Sequence, residues 1–154
     1  MQSFDEVVAE FLSRPKLMLH QPKWQQKAHP DFAAAGAKVV VSGSNAIVGR
    51  LVMTAHVLRV PRKYGFALIF RGKRVFALDV NPGRSHRNLL TKGAVSETHW
   101  QCWPAMEAEA DGRDLMFAGW LNCFLLRARI SGRFPIKPPP HRGQGVQLRL
   151  FNGD

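Results

Sequence analysis

The sequence is poor in cysteine, and it has no long apolar run. Cys102 and Cys123 are its two cysteines, too few for a disulfide framework and typical of a protein in a reducing cytosol. The most apolar segment, LMFAGWLNCFLL (115–126), has twelve residues and contains Asn122, whereas a membrane-spanning helix needs about twenty. The first residues, MQSFDEVVAEF, carry early acids and do not resemble a signal peptide. These features predict a soluble, cytoplasmic protein with no membrane partner.

Several motifs that would identify an enzyme class are also missing. The sequence contains no phosphate-binding loop, no dinucleotide fingerprint and no Gly-x-Ser-x-Gly elbow. No His-x-Glu occurs together with a Cys-x-x-Cys, which excludes a zinc deaminase. His86, His99, Cys102 and Cys123 are side chains that zinc accepts, but structural zinc sites normally have paired, closely spaced ligands in both halves. The sequence therefore predicts neither a metal site nor a cofactor.

Acidic residues are scarce, and the resulting positive charge is unevenly distributed. The 154 residues include 22 Lys and Arg but 11 Asp and Glu, which gives a net charge of +11 and a pI near 10.7. Positions 38–92 hold eleven Lys and Arg and a single acid, Asp79, whereas positions 97–114 hold five acids and only Arg113. Arg outnumbers Lys by 14 to 8, and a guanidinium binds phosphate with two parallel hydrogen bonds. Composition therefore favours an anionic partner, nucleic acid before a membrane surface, over a charge that only serves solubility.

Helix signals lie near both ends of the chain. Ser3 and Glu6 form a capping-box pattern, and the apolar stripe after them predicts a short helix that stops near Arg14, before a proline. Acids at the start of 111–129 predict a second helix with one apolar face. The remaining segments, 15–37 and 134–154, are predicted to be a wrapping loop with a short helix, and a Pro-rich connector ending in an edge strand.

The middle of the chain, residues 38–104, has the pattern of an antiparallel sheet. Its apolar segments are rich in β-branched and aromatic residues, with turn signals between them, and they are 38–43, 46–60, 64–70, 74–80 and 98–104. Gly72-Lys73 is predicted to form a two-residue hairpin turn. The expected architecture is one α+β domain over 1–154, with a twisted antiparallel sheet of about five to six strands, one packed C-terminal helix and a short N-terminal helix.

Two histidines are candidates for proton transfer. His86 follows the segment 74–80, and His99 opens the next predicted strand, so both imidazoles reach the same end of the sheet if those strands are neighbours. Cleavage of RNA by its own 2′-hydroxyl needs a base, an acid and cations on the phosphorane, and histidine serves either proton-transfer role at neutral pH. Arg84 and Arg87 would then hold the phosphate. The alternative is that both histidines are structural or lie at the surface.

A longer pattern around these histidines resembles a known family. The segment FALIFRGKRVFALDVNPGRSHRN, followed by GAVSETHWQ, is similar to the TumE-type group of small toxin-like proteins from toxin–antitoxin loci. Their pattern is two strands, an Asp-containing turn, a His-Arg-rich element and a further strand with an aromatic residue. The resemblance covers roughly residues 64–103, and the matching positions are Asp79, His86, Arg87, Asn88, His99 and Trp100. It implies a ribonuclease-like toxin with an acidic antitoxin as partner.

Basic turns and one tryptophan are the predicted nucleic-acid contacts. A turn of this kind suits phosphate contacts that position a strand without reading its sequence, although a solvated hairpin tip explains each turn taken alone. An exposed tryptophan can stack a base, worth about 1–3 kcal/mol per base. The predicted nucleic-acid-binding residues are Arg59, Arg62, Lys63, Arg71, Lys73, Arg74, Arg84 and Trp100.

These observations predict a small basic protein that binds nucleic acid and cuts single-stranded RNA without a metal. His86 and His99 would share acid and base duty, Arg87 would grip phosphate, and Asp79 would orient His86 or Arg87. The alternative is a non-catalytic inhibitor or adaptor of phage or plasmid type, which binds nucleic acid or occupies a nucleic-acid site of a ribonucleoprotein. A third possibility is a ribonucleoprotein subunit. The expected partners are RNA or DNA, with an antitoxin or a ribonucleoprotein complex as protein partner.

Overall fold

Two helices and nine strands make up the described part of the chain, residues 1–59, 61–82 and 97–142 of the computed structural model. The order of these elements is α1 (Phe4–Ser13), β1 (Lys16–Met18), β2 (Gln25–Gln26), β3 (Phe32–Val41), β4 (Ser44–His56), β5 (Tyr64–Phe70), β6 (Lys73–Val80), β7 (His99–Cys102), β8 (Glu109–Ala110), α2 (Phe117–Ala128) and β9 (Ile130–Ser131). No helix in these residues has the length and hydropathy needed to cross a membrane.

All nine strands belong to one sheet, with the order β8-β7-β6-β5-β4-β3-β1-β9 and with β2 paired to β3 beside this path. Every pairing is antiparallel except that of β1 with β9. The α+β class with a mostly antiparallel sheet and two helices is therefore confirmed. The strand number was underestimated, because four strands have only two or three residues and such short pairings leave no periodic signal in a sequence.

The N-terminal third shows the largest departures from expectation. The segment 15–37 was predicted to be a loop and a short helix, yet it contains β1, β2 and the first half of β3. β3 begins at Phe32, six positions before the predicted strand at Lys38. Its FAAAGA segment lacks β-branched residues, but its positions alternate between buried and partly exposed, as expected of a sheet strand. Pairing with the long neighbour β4 thus overrides a weak local propensity.

Both helices pack on the same face of the sheet. Phe11 of α1 stacks on Phe70, with ring centroids 4.3 Å apart, and Phe124 of α2 stacks on Phe66 at 5.6 Å. Phe66 and Phe70 share one face of β5, because side chains two residues apart in a strand point the same way. Phe124 also packs against Phe76 and is fully buried. We call this side the helix face and the opposite side the outer face.

Local signals predicted both ends of α1 and the carboxyl end of α2 near Arg129, but not the start of α2. The capping box of Ser3 and Glu6 is present, and Arg14 is the C-cap, as predicted. α2 starts at Phe117 and not at Asp111, because the Asp111 carboxylate accepts hydrogen bonds from the Trp100 indole and the Arg113 guanidinium. Residues 134–142 form no strand, and the edge strand predicted at 146–151 lies outside the described residues.

The β5–β6 hairpin turn is shifted by one residue from its predicted position. Phe70 pairs with Lys73, so the turn is Arg71-Gly72 and not Gly72-Lys73. Both turn residues have positive φ, 49° for Arg71 and 77° for Gly72, as a type I′ turn requires. Glycine adopts this conformation without the steric cost that a Cβ would add.

Candidate nucleic-acid interface

The outer face carries small side chains at its centre and cations around them. Strand register aligns Ala34, Thr54, Gly65, Asp79 and His99 in one row across β3 to β7. A neighbouring row aligns Gly36, Val52, Ala67, Ala77 and Gln101. Gly65, Ala67 and Ala77 place no large side chain at the centre of these rows, whereas the Arg50 guanidinium lies beside Gly36.

A third row on the same face is basic. Lys38 of β3 lies directly opposite Arg50 of β4, Arg50 is opposite Ile69 of β5, and Ile69 is opposite Arg74 of β6. We call Lys38, Arg50 and Arg74 the basic row. Neither Lys38 nor Arg50 forms an ion pair with any carboxylate of the described residues. Like charges directly opposite in an antiparallel pair repel, so we expect the Lys38–Arg50 pair to lower stability.

One end of the basic row opens into a groove of about 820 Å³ beside β2 and β3. Its lining includes the cationic or polar side chains of His20, Lys23, Lys27 and Arg50, and three glutamines, Gln21, Gln25 and Gln26. No carboxylate is among the described residues that line it. We call His20, Lys23, Lys27 and Arg50 the basic groove, and its side chains offer hydrogen-bond donors to an anion.

Asp79 is an acidic residue of this surface, and the side chains of Arg74 and His99 contact it. The Arg74 guanidinium donates two hydrogen bonds to its carboxylate, at 3.1 and 3.2 Å, and His99 Nε2 lies 3.3 Å from Oδ2. Arg74 and Asp79 are five positions apart in β6, an odd number that would place them on opposite faces of a regular strand. A β-bulge across from Leu68 and Ile69 adds one residue and brings both to the outer face.

His99 is anchored through both ring nitrogens. Nδ1 lies 2.6 Å from the carbonyl oxygen of Glu97, which can only accept a hydrogen bond, and Nε2 faces the Asp79 carboxylate. These two contacts fix the orientation of the imidazole ring. The side chain is only 14% exposed. His99 and Asp79, both predicted catalytic residues, are therefore in contact. The predicted contact of Asp79 with His86 or Arg87 falls on residues outside the described part of the chain.

Gly65 lets Thr54 and Asp79 approach each other across β5. A methyl group at Gly65 would lie 2.6 Å from the Thr54 hydroxyl oxygen and 3.7 Å from Asp79 Oδ1. The glycine thus leaves open a small polar notch, formed by the Thr54 hydroxyl and the two carboxylate oxygens of Asp79, at the centre of the outer face.

The two predicted basic turns lie at opposite ends of the sheet. Arg71 and Lys73 are exposed at the β5–β6 hairpin, on the same end as the basic row. The turn with Arg59, Arg62 and Lys63 is at the other end, where β5 begins. Arg62 serves the fold, because its guanidinium donates to the carbonyls of Pro139 and Pro140 and lies over the Tyr64 ring. Arg59 and Lys63 are half-buried there.

Trp100 cannot act as a platform for a base in this structure. It is 2% exposed, its ring is parallel to that of Phe124, and the Arg127 guanidinium lies 4.1 Å above it. Its indole N–H donates to Asp111. Hydrogen bonds from Arg113 hold the pKa of Asp111 below its ordinary value. Burial acts in the opposite direction, and the hydrogen bond from the Trp100 N–H lowers the pKa further. The prediction of base stacking by Trp100 is corrected accordingly: this residue belongs to the core.

The remaining predicted site residues, Arg84, His86 and Arg87, lie outside the described residues, as does Asn88 of the family-like pattern. The residues that sequence analysis did not select are those of the basic groove together with Lys38 and Arg50. Lys23 and Lys27 lie in a Pro-rich segment without periodicity, and their approach to Arg50 depends on the pairing of β2 with β3. The scarcity of acids over positions 38–92 was evident from the sequence, but which of those cations are neighbours depends on strand register.

Among residues 1–59, 61–82 and 97–142, no group of three or more His, Cys, Asp and Glu side chains is arranged to hold a metal ion. Comparison with known proteins gives no relative: no family model matches the chain, and neither a curated protein nor a solved structure is similar to it.

Proposed function

We propose that this protein binds nucleic acid through its outer face, with the basic row and the basic groove contacting phosphates. The observation that supports this most strongly is the Lys38–Arg50 pair. Like charges on directly opposite residues repel, no carboxylate of the described residues pairs with either cation, and a bound anion would offset the repulsion. A nucleic acid supplies phosphates in a regular series, which matches cations spread over several strands.

The shape of the outer face favours backbone contacts over base recognition. Its centre holds Ala, Gly, Val and Thr side chains, whose short reach suits close approach of a backbone and offers little to a base edge. Phosphate contacts of this kind position a nucleic acid without reading its sequence. The expected binding is therefore weakly dependent on sequence and strongly dependent on salt.

The test is the binding of fluorescently labelled RNA and DNA, single- and double-stranded, measured by anisotropy over a series of KCl concentrations. The double variant Lys38→Gln/Arg50→Gln removes two proposed phosphate contacts. For a duplex we expect the slope of log affinity against log salt to fall by about 1.8, since each contact contributes about 0.9. For a single strand the expected fall is about 1.4.

The matched control is Arg14→Gln/Lys137→Gln, which removes the same charge away from the basic row. Arg14 follows α1 and pairs with Glu10. Lys137 is exposed, and its carbonyl accepts a hydrogen bond from Trp24, which packs on Phe117 of α2. Equal losses of affinity and slope in the two double variants would show that only net charge matters, and the assignment of the outer face would fail.

Metal-independent cleavage of single-stranded RNA is a second candidate, and the contact between Asp79 and His99 favours it. A carboxylate that orients an imidazole is a recurrent arrangement for proton transfer. In the TumE-like proposal, His86 and Arg87 complete the site, with one histidine as base and the other as acid. His99 Nε2 must exchange its contact with Asp79 for one with the substrate.

Cleavage is tested by incubating the protein with mixed RNAs in EDTA, beside His99→Ala. An enzyme loses turnover in this variant and keeps its affinity for RNA. In the alternative, a non-catalytic inhibitor or adaptor, the wild-type protein leaves RNA intact, and His99→Ala changes neither property. RNA that stays intact with the wild-type protein, while binding is confirmed, would refute the nuclease and leave the binding proposal standing.

A further inference from the structure

An accessible aromatic side chain is part of the basic groove. Phe134, in the segment after β9, lines this groove together with Lys23, Lys27 and Arg50. The residue is 40% exposed, and none of the ring–ring contacts within the described residues involves it. A single exposed apolar residue is ordinary on a protein surface. A ring inside a cationic groove, however, is the combination that single-stranded nucleic acids bind.

Hydrogen bonds hold the chain beside this ring. The Gln21 side-chain amide donates to the carbonyl oxygen of Pro135, at 2.9 Å, and the Trp24 indole N–H donates to that of Lys137, at 2.8 Å. These two bonds fasten the segment after Phe134 to the segment before β2, where part of the groove lies. The backbone next to the ring thus has a fixed place relative to the cations, which lowers the entropy cost of binding.

The cations of the groove can be reached from solvent. His20, Lys23, Lys27 and Arg50 are all exposed, and none of them takes part in an ion pair within the described residues. The Arg50 guanidinium lies over Gly36, where a Cβ would be 3.5 Å from both Nε and Nη2. Arg50 also belongs to the basic row, so the groove continues the proposed path of phosphates.

Glutamine amides add contacts that suit a base. Gln25 is exposed in β2, and its side chain has no hydrogen-bond partner in the part of the chain that the structure describes. Gln26 accepts a hydrogen bond from Arg142 through Oε1, so its amide nitrogen is left to donate. An amide both donates and accepts, as the edge of a base does, whereas a phosphate or a carboxylate only accepts. The groove therefore suits a nucleotide better than an acidic peptide.

We propose that the basic groove binds an unpaired nucleotide of a single strand, with its base stacked on Phe134 and its phosphates on Lys23, Lys27 and Arg50. This inference rests on the proposed function and names single-stranded nucleic acid as the ligand. A duplex cannot use the ring, because its bases are paired and stacked on each other. Every base has a face that can stack, so the binding keeps its weak dependence on sequence.

The test compares a single-stranded DNA oligonucleotide with an abasic strand of the same length, by fluorescence anisotropy at one salt concentration. The abasic strand keeps the phosphates and lacks the bases, so the ratio of the two affinities isolates the contacts with bases. We expect the wild-type protein to bind the ordinary strand at least about 5-fold more tightly, the smallest effect of one stacked base. Single-stranded RNA should behave as the ordinary DNA strand does.

Variants of the ring assign this ratio to the groove. Phe134→Ala should weaken the ordinary strand at least about 5-fold and change the abasic strand and a duplex by less than about 2-fold. Phe134→Trp keeps an aromatic ring and should keep the wild-type ratio. The matched control is Phe4→Ala, because Phe4 is similarly exposed, at 36%, and packs against Trp103 of the helix face instead. This variant should bind every ligand as the wild type does.

The outcomes separate this inference from the proposed function. Equal wild-type affinity for the ordinary and abasic strands, or an unchanged ratio in Phe134→Ala, would overturn the stacking site, while binding of the abasic strand and the duplex would still support the phosphate contacts. Failure of all the strands to bind would refute the proposed function and the inference with it. Polyglutamate bound as tightly as the ordinary strand would also overturn the inference, because it would assign the groove to acidic peptides.

Discussion

Lys38→Gln should stabilise the protein while it weakens nucleic-acid binding. Lys38 is exposed in β3 directly opposite Arg50, and no described carboxylate pairs with either cation. A like-charge pair in this position is destabilising by about 0.2–1 kcal/mol, and glutamine removes the repulsion with little change in side-chain length. The free energy of unfolding should therefore rise by that amount, whereas most surface substitutions change it by less than about 0.5 kcal/mol.

The same substitution removes one proposed phosphate contact. The slope of log affinity against log salt should fall by about 0.9 for duplex and about 0.7 for single-stranded nucleic acid. Urea unfolding followed by tryptophan fluorescence measures the first effect, and anisotropy over a KCl series measures the second. The stabilisation should also shrink as salt increases, because exposed charges are screened over about 8 Å at 0.15 M ionic strength.

Lys73→Gln is the control for stability. Lys73 is exposed at the β5–β6 hairpin, but its partner across the turn is Phe70, so its removal relieves no repulsion. We expect a change in unfolding free energy near zero. If Lys38→Gln lowers stability or leaves it unchanged, Lys38 and Arg50 do not repel each other measurably. If the variant binds nucleic acid as the wild type does, with the same salt dependence, Lys38 is not a phosphate contact.

Three further results are expected. Asp79→Asn frees Arg74 from its ionic partner, so duplex affinity should increase and the salt slope steepen by about 0.9; an unchanged slope would contradict this. Burial, with a smaller contribution from the Arg129 charge, lowers the pKa of Lys16 to about 8 from 10.5. Between pH 8 and 10.5 the unfolded chain therefore binds more protons at Lys16 than the folded chain does. The free energy of unfolding should rise by about 3 kcal/mol over this pH range in urea titrations. A flat profile, or a rise that persists in Lys16→Met, would refute that assignment. Phe124→Ala, which empties a cluster of stacked rings, should cost about 3–5 kcal/mol in calorimetry, and a loss below 1 kcal/mol would place Phe124 outside the core.

Elements defined by neighbouring residues were predictable. The α1 helix begins at the Ser3–Glu6 capping box and stops before Pro15, because both signals act through backbone groups within one turn. In β5, the predicted alternation that places Phe66, Leu68 and Phe70 on one face is confirmed by their burial. Both patterns require only the 3.6- and 2-residue periods of helix and strand.

Errors arose where distant partners compete with local preference. Asp111 was expected to begin a helix, but Trp100 and Arg113 engage its carboxylate and α2 starts six residues later. Trp100 was expected to be available to a base, but Phe124 from α2 covers it. The hairpin turn slipped by one residue, since Arg-Gly carries a weaker turn signal than the usual Asn-Gly or Asp-Gly.

From the sequence alone, one can derive the protein's positive charge, its α+β class and the near absence of acids between positions 38 and 92, because composition and periodicity need no three-dimensional partner. Only the tertiary structure decided which cations lie on one surface. Lys23 and Lys27 line the same groove as Arg50 because β2 pairs with β3, and a bulge turns Arg74 toward Asp79. Strand register is set by the packing of a whole face, so residues far apart in sequence become neighbours that no local pattern specifies.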